Sequence, residues 1–289
     1  RAGQTWLDGM WQADPLAELT TYTRNTDSNG SLHITMTIRH AGKTFTRKTR
    51  RDPDIGTTWV IEPLLKNADD LRAWLDLPAA PHAGEPDTEK ILADEEALGD
   101  AGVIMLDTGD PLCSVAELFS MADFLMIAIS ETELVHQALE RVSMQLLPKA
   151  AAFAKALPGR LWRIYGPEYA AAPFLSPSLF GEYVNRYDKP IIDEIGRWGG
   201  YARIHCHGRL SAVLDLIRKT GCVGLDPVEP PPQGDMELAQ VRSAVGQDVV
   251  LFGNLEASDL ENLRTDQFAR KIERALAEGP NKDGSRFVL

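Results

Sequence analysis

The chain has 289 residues, 30 Lys and Arg against 42 Asp and Glu for a net charge of −12, and 44% hydrophobic and 25% charged residues. These values are ordinary for a folded globular protein and exclude the disordered, collagen-like and coiled-coil classes. The acidic balance, without any block of Lys and Arg, argues against a nucleic-acid partner, whose phosphates need clustered cations.

Taken in chain order, Arg1 to Met10 lacks an apolar core, so no targeting segment is expected. Ser31 to Arg39 and Lys43 to Arg50 are Thr-rich, partly alternating runs joined by Ala41-Gly42, which predicts a β-hairpin. Its Lys and Arg residues suit a solvated edge strand, or a docking surface if the protein is a noncatalytic scaffold. Trp59 to Glu62 reads as a further strand, and Ala68 to Leu77 as a short helix with Leu71, Trp74 and Leu75 on one face. Pro78 to Pro86 reads as a loop.

From residue 99 the pattern becomes regular, with short apolar runs alternating with polar loops and amphipathic helices, the mark of crossover units and a parallel sheet. The runs are Val103–Leu106, Leu161–Ile164, Tyr201–Cys206, Cys222–Leu225, Val249–Phe252 and Arg286–Leu289. Ser130 with Glu133 and Ser258 with Glu261 have capping-box spacing. Ser176-Pro177 predicts an N-cap followed by Pro at the first helical position, and Gly199-Gly200 closes that region. Leu210, Val213, Leu214 and Ile217 form a stripe ended by Gly221. The domain division expected is 1–98 for the N-terminal addition and 99–289 for the α/β region. The longest apolar stretches, Phe124–Ile129 and Val249–Phe252, fall far short of the ~20 residues of a membrane helix, so no membrane partner is expected. Three cysteines, Cys113, Cys206 and Cys222, without repeated spacing, point to a reducing, cytoplasmic setting. Cys113 and Cys222 read as small buried hydrophobes.

Gly109 stands alone, without the G-x-G-x-x-G of a dinucleotide site, and no P-loop pattern occurs. A closed (β/α)8 TIM-type barrel is therefore preferred to a doubly wound sheet. In a barrel the functional residues follow the C-terminal ends of strands, which singles out Gly166-Pro167-Glu168, His205-Cys206-His207-Gly208, Asp226 to Asp235, and Gly253-Asn254-Leu255-Glu256. Strand parity places Arg203, His205 and His207 on one face and Ala202, Ile204 and Cys206 on the other, toward the helices. Two adjacent imidazoles suit a divalent transition metal, with zinc the first choice.

A zinc site needs at least a third ligand. Asp226, Glu229 and Asp235 are the carboxylates at hand, and Glu229 is preferred because Asp235 fits a helix-capping role ahead of Met236 and Leu238. Glu168, between Tyr165 and Tyr169, is a candidate acid, base or substrate anchor. Arg203 is a candidate carboxylate anchor, and Tyr169, Asn254 and Gln233 are candidate substrate contacts. Asp107 and Asp110 are weaker candidates for an active-site role. A His-x-His pair also occurs in metal-dependent amide hydrolases, but those draw further histidines from later strands, and none follows His207 here.

From Gly99 to Leu289 the chain resembles the uroporphyrinogen decarboxylase-like superfamily. The resemblance rests on Ser176-Pro177-Ser178-Leu179-Phe180, on His205-Cys206-His207-Gly208, on the loop Glu229-Pro-Pro-Pro-Gln-Gly-Asp235, and on Leu251-Phe-Gly-Asn254. It implies a (β/α)8 barrel with an N-terminal β-hairpin addition, truncated at both ends relative to the family. In the methyltransferase branch a His-x-Cys-Gly motif binds zinc; His205 matches its His, His207 replaces its Cys, and Glu229 falls near an acidic position. The arginine-rich N-terminal motif of the decarboxylase has no match in Arg1 to Leu19. The resemblance thus implies a metal-dependent methyltransferase that activates a thiol or hydroxyl acceptor of a small-molecule substrate, with a corrinoid carried by a separate protein. The alternative is a decarboxylase or other lyase with Arg203 as anchor. Apolar loops at Phe174-Leu175 and Phe180 suit either a pocket or a homodimer contact.

Overall fold

A computed structural model describes residues 15–79 and 85–289. Arg1 to Met10, expected to carry no targeting segment, lies outside the described residues, as do most of the Arg1 to Leu19 stretch and the centre of the Pro78 to Pro86 loop. The chain divides into two compact units: one holds Pro86–Cys113 and Leu147–Leu289, the other the described residues before Pro86 together with Ser114–Leu146. The units thus interleave along the chain, whereas composition alone divides it at residue 98.

The second unit contains an antiparallel meander, β1 (Thr20–Thr26), β2 (Leu32–His40), β3 (Lys43–Arg51) and β4 (Thr58–Glu62), in sequential order. The predicted hairpin is β2–β3, turning at Ala41-Gly42 with His40 opposite Lys43. Both turn residues have positive φ, 47° at Ala41 and 80° at Gly42, as a tight two-residue hairpin requires. The basic strand is not an edge: β3 lies between β2 and β4, and the edges are β1 and β4. β1, Thr-Thr-Tyr-Thr-Arg-Asn-Thr, was not expected, because it has β-branched residues but no apolar alternation. The helix Ala68–Leu75 is capped by Asn67, whose side chain accepts from the Asp70 amide, and it buries Leu71.

The first unit contains six parallel strands, β5 (Met105–Gly109), β6 (Leu161–Tyr165), β7 (Tyr201–His205), β8 (Gly224–Asp226), β9 (Val250–Phe252) and β10 (Phe287–Val288). Each overlaps a run expected from sequence, although β5 begins and ends later than its run, Val103–Leu106, and shares only Met105 and Leu106 with it. They pair in chain order from β5 to β10, so every crossover steps the same way, as in barrels and unlike a doubly wound sheet. Among the described residues no pairing joins β5 to β10. The described residues thus form an α/β fold on a six-stranded parallel sheet, and the closure of the expected barrel is not seen among them.

Alternation gives this sheet two different faces. On one, Leu106, Trp162, Ile164, Ile204, Leu225 and Leu251 are almost fully buried, with Ala202 beside them, and the helix Arg186–Arg197 packs on β7. On the other, pairing aligns Asp107, Arg163 and Arg203 in one row and Gly109, Tyr165, His205 and Asp226 in the next. The stripe Leu210, Val213, Leu214 and Ile217 is buried as expected, its helix running Leu214–Lys219. Ser176 caps its helix as predicted, accepting from the Leu179 amide at 3.3 Å.

Two expected capping boxes do not form. Ser130 ends the helix Met121–Ser130 and bonds back to the Met126 carbonyl, and the next helix is Thr132–Ala156. The stretch after Ser258 breaks at Leu263 into Ala257–Asn262 and Thr265–Glu278, and the second is capped through Arg264 and Gln267. In both places a serine-glutamate spacing lies inside or astride a helix boundary fixed by packing.

Candidate functional site

Parity and pairing bring the site together at the C-terminal ends of β6 to β8. The row Tyr165, His205 and Asp226 places the first histidine directly beside a carboxylate on the next strand, and His205 Nδ1 lies 3.0 Å from Asp226 Oδ2. Two residues on, His207 leaves the strand and its Nδ1 lies 2.8 Å from Glu229 Oε1. The second Glu229 oxygen, Oε2, accepts from the Gly208 amide at 2.6 Å. The two imidazoles meet edge to face, with ring centroids 4.7 Å apart. Each histidine thus has its Nδ1 fixed by its own carboxylate, and among the described residues no protein group takes either Nε2.

The proline-rich loop after β8 owes its shape to one glycine. A Cβ at Gly234 would lie 2.0 Å from the Glu229 carbonyl oxygen, so only glycine lets the loop fold back on Glu229. Gly234 also donates to the Pro230 carbonyl at 3.0 Å. Asp235 does not cap the next helix, whose cap is Glu237 with Gln240. It instead accepts from the Ser211 amide at 3.1 Å and from the Ser211 hydroxyl, tying this loop to the chain just after His207.

Below the histidines the inner face carries paired charges. Arg163 donates twice to Asp107, at 2.8 and 2.5 Å. Arg203 Nη2 lies 3.1 Å from Asp226 Oδ2, and its guanidinium stacks 4.3 Å from the Phe252 ring centroid. Burial pushes the Asp226 carboxyl up, but the His205 hydrogen bond and the charge of Arg203 outweigh it, and the net effect holds Asp226 below the usual carboxylate range. Arg203 is therefore committed to Asp226 and Phe252 rather than standing open as a substrate anchor. Toward the mouth, burial and then Glu229 and Asp259 push the Glu256 carboxyl up, a sign of excess negative charge.

The remaining expected residues are placed less centrally. Glu168 lies in the short 3-10 turn after β6 and accepts from the Gly166 amide at 2.9 Å. Tyr169 follows it, half-buried. Asn254 follows β9 and lines a small depression with Pro230 and Lys271, and Gln233 is exposed on the loop. Cys113 and Cys222 are buried, as expected for packing residues, as is Cys206, and none of the three forms a disulfide. Burial, reinforced by Glu168 and Asp110, pushes the Cys206 thiol well above its ordinary value, so it is a protonated core group.

Among the described residues no three His, Cys, Asp or Glu side chains converge as a ligand set. Glu229, expected as the third ligand, is engaged with His207 and Gly208 instead. Each histidine is oriented through Nδ1 by one carboxylate. The sequence offers Asp226, Glu229 and Asp235 as alternatives for one ligand position, whereas in the structure Asp226 serves His205 and Glu229 serves His207. The signal was the pairing register, which sequence does not display.

The uroporphyrinogen decarboxylase (URO-D) family pattern matches residues 90–289. That is well over half of the chain, which therefore belongs to this family. Among solved structures, a methyltransferase from Methanosarcina mazei is similar at a TM-score of 0.56 and 18% identity, over 78% of this chain and 64% of that one. At this identity the likeness is one of fold, and the chain spans less than two thirds of that protein's length. No curated protein sequence matches the chain. No helix among the described residues is long and apolar enough to cross a membrane.

Proposed function

We propose that the protein is a methyltransferase-type member of its family, with a barrel-type (β/α) winding and a divalent metal, zinc by preference, held through His205 and His207. The observation that carries this reading is the pair of imidazoles with Nδ1 fixed by Asp226 and Glu229 and Nε2 left to a ligand. A cation there would act as a Lewis acid that lowers the pKa of a bound thiol or hydroxyl acceptor. The chain's own residues do the rest. Asp226 and Glu229 fix the ring orientations, and Arg203 holds Asp226 ionised. Glu168 and Tyr169 flank the mouth, and Asn254 offers both a donor and an acceptor to the substrate. The negative mouth, with Glu229 and Glu256 close together, favours a cation over a polyanionic substrate. The methyl donor in this reading is a corrinoid on a separate protein.

The lyase reading needs a free cation for the substrate carboxylate. Arg163 and Arg203 are neutralised by Asp107 and Asp226, which weighs against it.

The test is metal content by plasma mass spectrometry, wild type beside the His205→Ala/His207→Ala double variant and Glu229→Gln. Near-stoichiometric metal in wild type, lost in the double variant and weakened roughly 10–100-fold in affinity in Glu229→Gln, is the expected pattern. Protein that neither carries nor takes up zinc would sink the reading. With metal present, methyl donors are then screened against thiol and hydroxyl acceptors.

A further inference from the structure

We infer that Asp188 is a neutral carboxylic acid in the folded protein and forms, with Asp110, a buried proton-holding site next to Glu168. This inference stands apart from the metal reading. Asp188 lies on the apolar stripe of the helix Arg186–Arg197, where Tyr187, Ile191, Ile192 and Ile195 are buried with it. It has 0% exposure, and neither carboxyl oxygen has a hydrogen-bond partner. A lone ionised carboxylate in such a place bears the full cost of lost hydration, and the ordinary outcome is that it takes up a proton.

The groups facing it make ionisation still less favourable. Asp110, also 0% exposed, follows β5 and accepts from the Cys113 amide at 2.5 Å. Its Oδ1 lies 2.0 Å from where a Cβ at Gly166 would be, while the Gly166 amide donates to Glu168. Gly166, at φ 131°, therefore lets two carboxyls flank one backbone position. Burial pushes the Asp188 carboxyl well above the ordinary range, and the charges of Asp110 and Glu168 add to it. Cys206, from the end of β7, is likewise buried beside these acids and uncharged. Tyr183, just before the helix, and Tyr187 are the ionisable groups buried near it along the chain, while Arg186, Lys189, Asp193 and Arg197 on the helix are exposed. No Lys, Arg or His offsets Asp188 among the described residues.

Such a site is linked to the mouth through Glu168. The charge of Glu168 adds to the electrostatic cost of ionising both Asp110 and Asp188.

Infrared spectroscopy of the full chain between pH 5 and 9 tests this directly. Solvated carboxyls are ionised at pH 7, so the expected result is a protonated-acid carbonyl band that persists at pH 7 in wild type and loses intensity in Asp188→Asn. Glu168→Gln, by removing a neighbouring charge, should move the loss of that band to lower pH. Absence of the band in wild type, or its full retention in Asp188→Asn, overturns the inference. Denaturant unfolding gives an independent readout. The folding equilibrium constant of Asp188→Asn relative to wild type should grow by up to about tenfold per pH unit above pH ~4, since wild type alone must hold that proton. A variant less stable than wild type by the same factor at every pH would mean an ionised, partnered Asp188. If Asp188→Asn does not fold, the wild-type band and its shift in Glu168→Gln still decide.

Discussion

In the antiparallel meander only Ile38 and Phe45, of all the residues in β1 to β4, are buried. In the parallel sheet every strand from β5 to β9 buries at least one residue of its outer row, and the inner row carries Asp107, Arg163, Arg203, His205 and Asp226. The meander is held largely by backbone pairing and Thr-rich cross-strand contacts, while the parallel sheet divides its faces between core and chemistry. A sheet buried on one face can build a charged array on the other only if each charge finds a partner there. The Asp107–Arg163 and Arg203–Asp226 pairs meet that condition.

Substitutions should separate the two regions. Trp162→Ala removes a side chain with 0% exposure from the outer row and should cost about 3–5 kcal/mol, read by denaturant unfolding. A cost under about 1 kcal/mol would mean that the outer row is not the core. Asp226→Asn breaks the inner array, leaving Arg203 without its counter-ion and His205 without its orienting carboxylate, and should cost about 3 kcal/mol at pH 7. Because the Asp226 carboxyl is held low in the folded state, its contribution is present above the unfolded value near 3.9 and is lost as pH falls through the lower folded value. The wild-type advantage over Asp226→Asn should therefore vanish in strong acid. Asp188→Asn should behave in the opposite sense, gaining on wild type as pH rises, so two aspartates of one unit would titrate the fold in opposite directions.

The smallest effect belongs to the meander. Lys48→Ala removes a partly exposed ion pair with Glu62 and should change stability by less than about 1 kcal/mol, less still at high salt. A loss as large as that of Trp162→Ala would show that the meander depends on its charges after all.

The sequence was most legible where structure is local. Apolar runs located all six parallel strands, and Ala41-Gly42 located the hairpin turn. It was less legible where an element has no apolar period: β1 is Thr-Thr-Tyr-Thr-Arg-Asn-Thr and exposes nearly every side chain. The serine-glutamate spacings at Ser130 and Ser258 misled because a capping pattern forms only if packing ends the helix there. At the site, parity placed Arg203, His205 and His207 on one face, but not the partners they would meet. Asp188 was overlooked, although an aspartate among Tyr187, Ile191 and Ile192 on a buried helix face is itself a signal.

What the sequence determined by itself is the succession of strands and helices, the face each strand residue takes, and the membership of His205 and His207 in one strand end. Each depends on the chain's own period of two or 3.6 residues, which sequence displays directly. Only the tertiary structure decided that Asp226 serves His205, that Glu229 serves His207, and that Asp110 and Asp188 are buried within reach of the Glu168 charge. Those pairings join residues from different strands, loops and helices, and their register is set by how the apolar outer row packs rather than by any spacing along the chain.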